Sequence, residues 1–223
     1  MLIMLAVIAR RRIPIAGGIW HCDANAGLIY ELSTTDFSVI RSAASQALSP
    51  QGIGGDANTI WHCDADWGYI FELNTTDFSV IRSAASPSYN PQGIGGDVNT
   101  IWHCDNYDAF IFELSTTDFS VIRSALGPGS GAHGIGGDVN TIWHCDAWGY
   151  LIFELSTTDF SAIRSAASQA LSPQGIGGDA NTIWHCDADW GYIFELSTTD
   201  FSAIRSAGSP GYQPMGIGGA GGT

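Results

Sequence analysis

Lysine is absent from this chain of 223 residues, and its eight arginines stand against 22 acidic residues, a formal net charge of −14. A surface so poor in cations excludes the phosphate backbone of nucleic acid as a natural partner, because that recognition rests on clustered Lys and Arg. It equally disfavours an anionic membrane surface. The apolar stretch from Met1 to Ala9 stops at Arg10-Arg11-Arg12, well short of the ~20 residues a spanning helix needs. Its charges follow the apolar residues instead of preceding them, the reverse of a secretory leader. No window long enough for a helix carries a 3.6-residue apolar period. Cysteine is limited to Cys22, Cys63, Cys104, Cys145 and Cys186. An odd, evenly spaced set is a poor disulfide framework, so each reads as a small buried hydrophobe. With that cysteine usage, the expectation is a soluble protein of a reducing, cytoplasmic compartment.

What the chain does have is repetition. The tetrad Trp-His-Cys-Asp starts at Trp20, Trp61, Trp102, Trp143 and Trp184, a constant step of 41 residues. Each unit carries one Glu, one Asp-Phe pair and one Arg at matching offsets, such as Glu72, Asp77 and Arg82 in the second. A period of this length marks a repeat architecture, and five units leave little chain for another domain.

Within the second unit, Gly52-Ile53-Gly54-Gly55 is nearly free of side chains and Asp56-Ala57-Asn58-Thr59 reads as a tight turn. Strands are predicted over 59–64, 69–73 and 78–83, with Ile60 and His62 on one face and Trp61 and Cys63 on the other. Apolar residues fall on both faces of Tyr69 to Leu73 and of Phe78 to Ile81. A sheet with one wet side would not need this, but a blade buried between two neighbours does. The first unit lacks a good Gly-Ile-Gly-Gly segment, while the C-terminus supplies a spare one at Gly216 to Gly219. The prediction is therefore an all-β, five-bladed β-propeller of four-stranded antiparallel blades, closed by the C-terminal strand joining the N-terminal blade. Residues 14–223 form that single domain and 1–13 a poorly ordered tail. A closed ring has no sticky end, which favours a monomer. Glycine-rich inner strands suit an axis where five backbones crowd together.

The run Pro-Gln-Gly-Ile, then Ile-Trp-His-Cys-Asp, then Tyr-Ile-Phe-Glu-Leu and Thr-Thr-Asp-Phe resembles the blade repeat of the NHL and SMP-like propellers. The likeness extends from Ile19 to Gly219 and implies blade architecture. It implies no single activity, since those families include enzymes, scaffolds and binding modules. The count of five blades also resembles the tachylectin-like sugar-binding propellers, with no sugar-site motif carried over. Thr-Thr-Asp stands here where many relatives have Thr-Gly.

His-Cys-Asp contains metal-binding and catalytic residue types. Neighbours in a strand point to opposite faces, however, so His62 and Cys63 cannot share a site within one unit. A zinc site wants four converging ligands, and a Cys–His dyad wants a hydrogen bond and an orienting third group. Pairing of one blade's Cys with the next blade's His is the alternative. Trp61, His62, Cys63, Asp64, Asp77 and Arg82 are read as architectural positions: His62 locks its strand to a turn or neighbouring blade, and Asp77 accepts backbone N–H groups in a turn. Arg82 pairs with Asp or Glu72 of a neighbouring blade. The Asp56-Ala57-Asn58 turns lack the oxygen ligands calcium needs, and Gly-Ile-Gly-Gly lacks the helix of a phosphate loop. No metal and no cofactor are expected.

Differences among copies are more telling. Units two and five, Gln51 to Ser86 and Gln174 to Ser209, differ at three positions only: Asn74/Ser197, Val80/Ala203 and Ala85/Gly208. Elsewhere variation concentrates in the turn after the tetrad and in the long connection between units, two loops on the same side of the ring. They carry Trp67, Tyr89, Tyr107, Trp148, Trp190 and Tyr212. Aromatics on variable loops are a binding signature, and their alternative role is to roof the core between blades. The expectation is a non-catalytic propeller binding a glycan or protein partner multivalently through this face. The alternatives are a structural or interaction repeat without a ligand site, and a hydrolase- or lyase-like enzyme with polar groups near the axis.

Overall fold

The computed structural model describes residues 18–219; the tail at 1–13 and the start of the domain at 14–17 lie outside the described residues. Twenty strands form five four-stranded antiparallel sheets, the blades of a propeller. Blade 2 runs outward from the axis through β4 (Pro50–Gly55), β5 (Ile60–Asp64), β6 (Tyr69–Leu73) and β7 (Val80–Ala85). Blade 3 repeats this with β8 (Pro91–Gly96), β9 (Ile101–Asp105), β10 (Phe110–Leu114) and β11 (Val121–Leu126). Blade 4 is β12 (Ala132–Gly137), β13 (Ile142–Asp146), β14 (Leu151–Leu155) and β15 (Ala162–Ala167). Blade 5 is β16 (Pro173–Gly178), β17 (Ile183–Asp187), β18 (Tyr192–Leu196) and β19 (Ala203–Gly208). Blade 1 consists of β1 (Ile19–Asp23), β2 (Leu28–Leu32), β3 (Val39–Ala44) and, as its inner strand, β20 (Pro214–Gly219). The ladder Ile19↔Gly219, Trp20↔Gly218, His21↔Ile217 closes the ring. No helix of the described residues is long and apolar enough to cross a membrane.

The tetrad strand is buried on both faces, as β5 shows from Ile60 to Asp64. Alternation sends its residues into two different cores. Trp61 and Cys63, with Ile70, pack against Ile94, Ile101, Phe112 and Leu114 of blade 3. Ile60, with Ile53, Phe71 and Leu73, meets Trp20 and Cys22 of blade 1. The described residues form five equivalent interblade cores in place of a single central one. At the axis the inner strands approach so closely that a Cβ on Gly54 would lie 2.9 Å from the Gly95 Cα, and glycine is required there.

Two local predictions are corrected. The outer strand begins at Val80, not at residue 78. Phe78 occupies the left-handed region at φ 63°, its N–H bonded to the Asn74 carbonyl. That turn drives the buried ring into the interblade core, edge-on to Trp20 at 5.9 Å between centroids. Nor does Arg82 take its carboxylate from another blade. Glu72 faces it across the β6–β7 ladder of the same blade, and Arg82 Nε donates to Glu72 Oε2. The neighbour is reached by the other nitrogens, which donate to the Thr116 and Thr117 carbonyls of blade 3. The guanidinium also lies 4.4 Å over the Phe119 ring. Arg41, Arg123, Arg164 and Arg205 do the same, Arg205 reaching Thr34, Thr35 and Phe37 across the closure.

Candidate functional site

Strand alternation up and down the blade gives the propeller two unlike ends. At one end, short turns are held by their own side chains. Asp56 Oδ1 accepts from the N–H groups of Asn58 and Thr59, and Asp77 Oδ1 from the N–H and hydroxyl of Ser79. Those Ser79 bonds hold the Asp77 carboxyl below its ordinary range. All five arginines of the described residues are bonded to the β-turn carbonyls at this end.

The other end carries the variable loops, and the last residue of each tetrad is their anchor. Asp187 is fully buried; Oδ1 accepts from Trp190 N–H at 3.0 Å and Oδ2 from Ser172 N–H at 2.6 Å. One carboxylate thus ties the turn after the tetrad to the long connection before it. Asp64 does so with Trp67 and Ser49, Asp105 with Tyr107 and Asn90, and Asp146 with Trp148 and Ser130. Asp23 joins Ala26 to Gln213 across the closure. Charge-assisted bonds of this kind are short and among the stronger in proteins.

On these clamped loops the six aromatic residues stand out from the protein. Trp190 and Trp67 are 56% and 57% exposed, Trp148 63%, Tyr107 73%, and Tyr89 and Tyr212 85% and 89%. None of these rings belongs to the five buried interblade clusters. One pair touches: Tyr89 and Tyr107 meet edge-on at 6.1 Å. Two open clefts of about 480 Å³ each flank Tyr212 at the junction of blades 5 and 1. One is lined by Asn25, Ser172, Gln174, Asp189 and Met215, the other by Trp190, Gly191, Ser209 and Pro210. Both include Asp189. Gln174 and Met215 escape a reading based on aromatics, although their position, the residue after the inner-strand proline or alanine, is Gln51, Gln92, His133, Gln174 and Met215 in turn. That non-identity in a near-identical frame is the signal that points to them.

The His and Cys of each His-Cys-Asp triplet face opposite sides of their strand and find different partners. His62 Nδ1–H donates to the Gly52 carbonyl at 2.7 Å, which fixes the tautomer and leaves Nε2 as an acceptor for the Ser45 hydroxyl at 3.1 Å. The second bond reaches back to blade 1. Burial lowers His21, His62, His103, His144 and His185 from 6.5 to about 4. The Cys63 thiol lies on the opposite face, and burial pushes it up. In other interblade cores Cys22, Cys104 and Cys145 donate to the backbone carbonyls of Gln51, His133 and Gln174, not to an imidazole. All five cysteines are free and buried. Among the described residues no group of three or more His, Cys, Asp or Glu side chains could hold a metal ion. The axis is lined by glycine and isoleucine around a cavity of about 10 Å³, room for one water.

No protein-family model matches the sequence, and no curated protein matches it. Solved structures do resemble the fold. A streptogramin B lyase has a TM-score of 0.54 at 20% identity, over 90% of this chain and 69% of that one. The glutaminyl cyclase of Myxococcus xanthus has a TM-score of 0.59 at 11% identity, over 76% and 69%. A chain of a nidogen/laminin complex has a TM-score of 0.60 at 11% identity, over 91% and 98%. At these identities the likeness is one of propeller fold, shared by enzymes and non-enzymes alike.

Proposed function

We propose that this propeller is a non-catalytic, multivalent glycan-binding protein that engages saccharides through Trp67, Tyr89, Tyr107, Trp148, Trp190 and Tyr212. The observation carrying this reading is the coincidence of six exposed aromatic rings with the end of the molecule whose loops are pinned by buried aspartates. Exposed rings on mobile loops would cost entropy on binding; rings on clamped loops present a preorganised surface. The setting of Trp190 and Tyr212 beside open clefts suits the flat apolar face of a pyranose better than one continuous protein interface. Repetition around a ring offers several weak sites to a polymeric ligand, and avidity supplies the strength. The narrow axis, lined among the described residues by glycine and isoleucine alone, supports the non-catalytic reading.

A second reading, docking of a protein on the same end, draws on the nidogen/laminin likeness, where a propeller of this fold occurs in a complex. The two are separated by screening the full chain on a glycan array beside a variant with Trp67, Trp148 and Trp190 replaced by Ala. Binding by the parent, lost in the variant with the fold retained by circular dichroism, supports the glycan reading. Absence of binding to any glycan at high protein concentration overturns it.

A further inference from the structure

Resting on that reading, we infer that the paired cleft between blades 5 and 1 selects a saccharide carrying a free, protonated amine, of the glucosamine class. Three observations converge on the charge. First, among the described residues the loop end is acidic and carries no arginine. Asp66, Asp108 and Asp189 are exposed there, and every arginine of the described residues is committed to carbonyls at the opposite end. Anionic sugars meet only repulsion at such a surface.

Second, Asp189 lines both clefts, sharing one with the exposed rings of Trp190 and Tyr212 and the other with Tyr212 alone. A carboxylate beside aromatic faces is the environment that attracts an ammonium group, through the ring quadrupole as well as the charge. A neutral pyranose would use the rings and leave the carboxylate with solvent.

Third, Gln174 in the cleft lining is 9% exposed and half-satisfied: its Nε2 donates to Ser172 Oγ at 3.0 Å, while its buried Oε1 has no partner. An acceptor left unpaired in a buried site carries an uncompensated desolvation penalty. It is relieved by a ligand that brings N–H or O–H donors, which an ammonium-bearing sugar has in excess. The nearly identical second unit repeats this constellation, with Asp66 beside Trp67 and an unpartnered Gln51 Oε1. There Tyr89 is engaged by Tyr107, whereas Tyr212 stands free over its clefts.

The test is calorimetric titration of the full chain with a glucosamine oligomer and with its N-acetylated counterpart, for the parent, Asp189→Asn and Tyr212→Ala. Asp189 is exposed, so its amide leaves the fold intact. The expected result is binding of the free-amine oligomer about tenfold tighter than the acetylated one. Asp189→Asn removes most of that preference, Tyr212→Ala weakens both ligands, and added salt weakens only the free amine. Equal binding of the two oligomers, unaffected by Asp189→Asn, overturns the inference and leaves the glycan reading standing. Binding of neither oligomer, or of a Lys-rich peptide in their place, overturns the inference; only failure across all glycans overturns the broader reading.

Discussion

Gly127→Ser tests the interblade hydrogen bonding at the one place where the repeat departs from itself. Four of the five buried histidines accept a serine hydroxyl from the preceding blade: His21 from Ser209, His62 from Ser45, His103 from Ser86 and His185 from Ser168, at 3.0–3.1 Å. The equivalent position before His144 is Gly127, and His144 Nε2 is buried with no partner. Restoring the hydroxyl supplies a bond worth about 0.5–1.5 kcal/mol. Removing a glycine from a position with ordinary dihedrals adds about 0.4–1 kcal/mol through the unfolded chain. Against this, the new Cβ lies 3.2 Å from the Ala109 carbonyl oxygen and 3.3 Å from Ile111 Cδ1. Serine is accommodated in the four sister blades beside the corresponding isoleucine, so the crowding is small. The net gain is about 1–2 kcal/mol, a rise of about 3–6 °C in Tm for a domain of this size. Thermal unfolding followed by circular dichroism reads it, with Ser86→Gly as the mirror experiment, expected to fall by a similar amount. A hydroxyl donating to Nε2 also favours neutral imidazole, so the His144 titration followed by NMR moves further down. An unchanged or lowered Tm for Gly127→Ser, together with an indifferent Ser86→Gly, refutes the reasoning.

Two further outcomes follow from the same architecture. Five histidines held near 4 in the folded state, against 6.5 when unfolded, bind protons only on unfolding between these values. Their contribution is therefore complete above pH ~6.5 and is lost as pH falls toward ~4, with a slope approaching five protons, on the order of 6 kcal/mol per pH unit; denaturant unfolding at a series of pH values measures it, and a one-proton slope would sink the idea. Arg82→Met keeps the aliphatic stem over Phe119 but removes the Glu72 pair and the two bonds to blade 3, costing about 2–4 kcal/mol because partners in a part-buried site are left unpaired; a loss of unfolding free energy below ~0.5 kcal/mol, measured in urea, would show that the arginine is only decoration.

The 41-residue spacing, the spare Gly-Ile-Gly-Gly and the two-faced apolar strands were enough to read the blades and their closure, since each reports a repeating local constraint. What stayed hidden depends on the dihedral of one residue or on which of two neighbours is nearer. Phe78 looked like a strand residue because it is aromatic and precedes Ser-Val-Ile; only its left-handed turn shows that it serves the core instead. Glu72 and Arg82 are ten residues apart, and the ladder register that sets them opposite is invisible until the hairpin length is known. The aromatic loop residues were legible as a set because they vary in an invariant frame. Gln174 gives a fainter signal: its position reads Gln, Gln, His, Gln and Met around the ring, and its significance lies in a buried side-chain oxygen without a partner.

The ladder between β20 and β1 has a consequence for how the protein is made. His21 Nδ1 donates to the carbonyl of Gly216, 195 positions along the chain. During synthesis, β1, β2 and β3 therefore emerge with an unpaired inner edge and must wait for all four later blades. Every intervening Gly-Ile-Gly-Gly strand offers that edge a near-copy of its proper partner. Correct closure thus depends on each intermediate copy being claimed first by its own Trp-His-Cys-Asp strand, a race won by proximity along the chain. A faster ribosome or a crowded refolding mixture would tilt that race toward rings assembled from two chains.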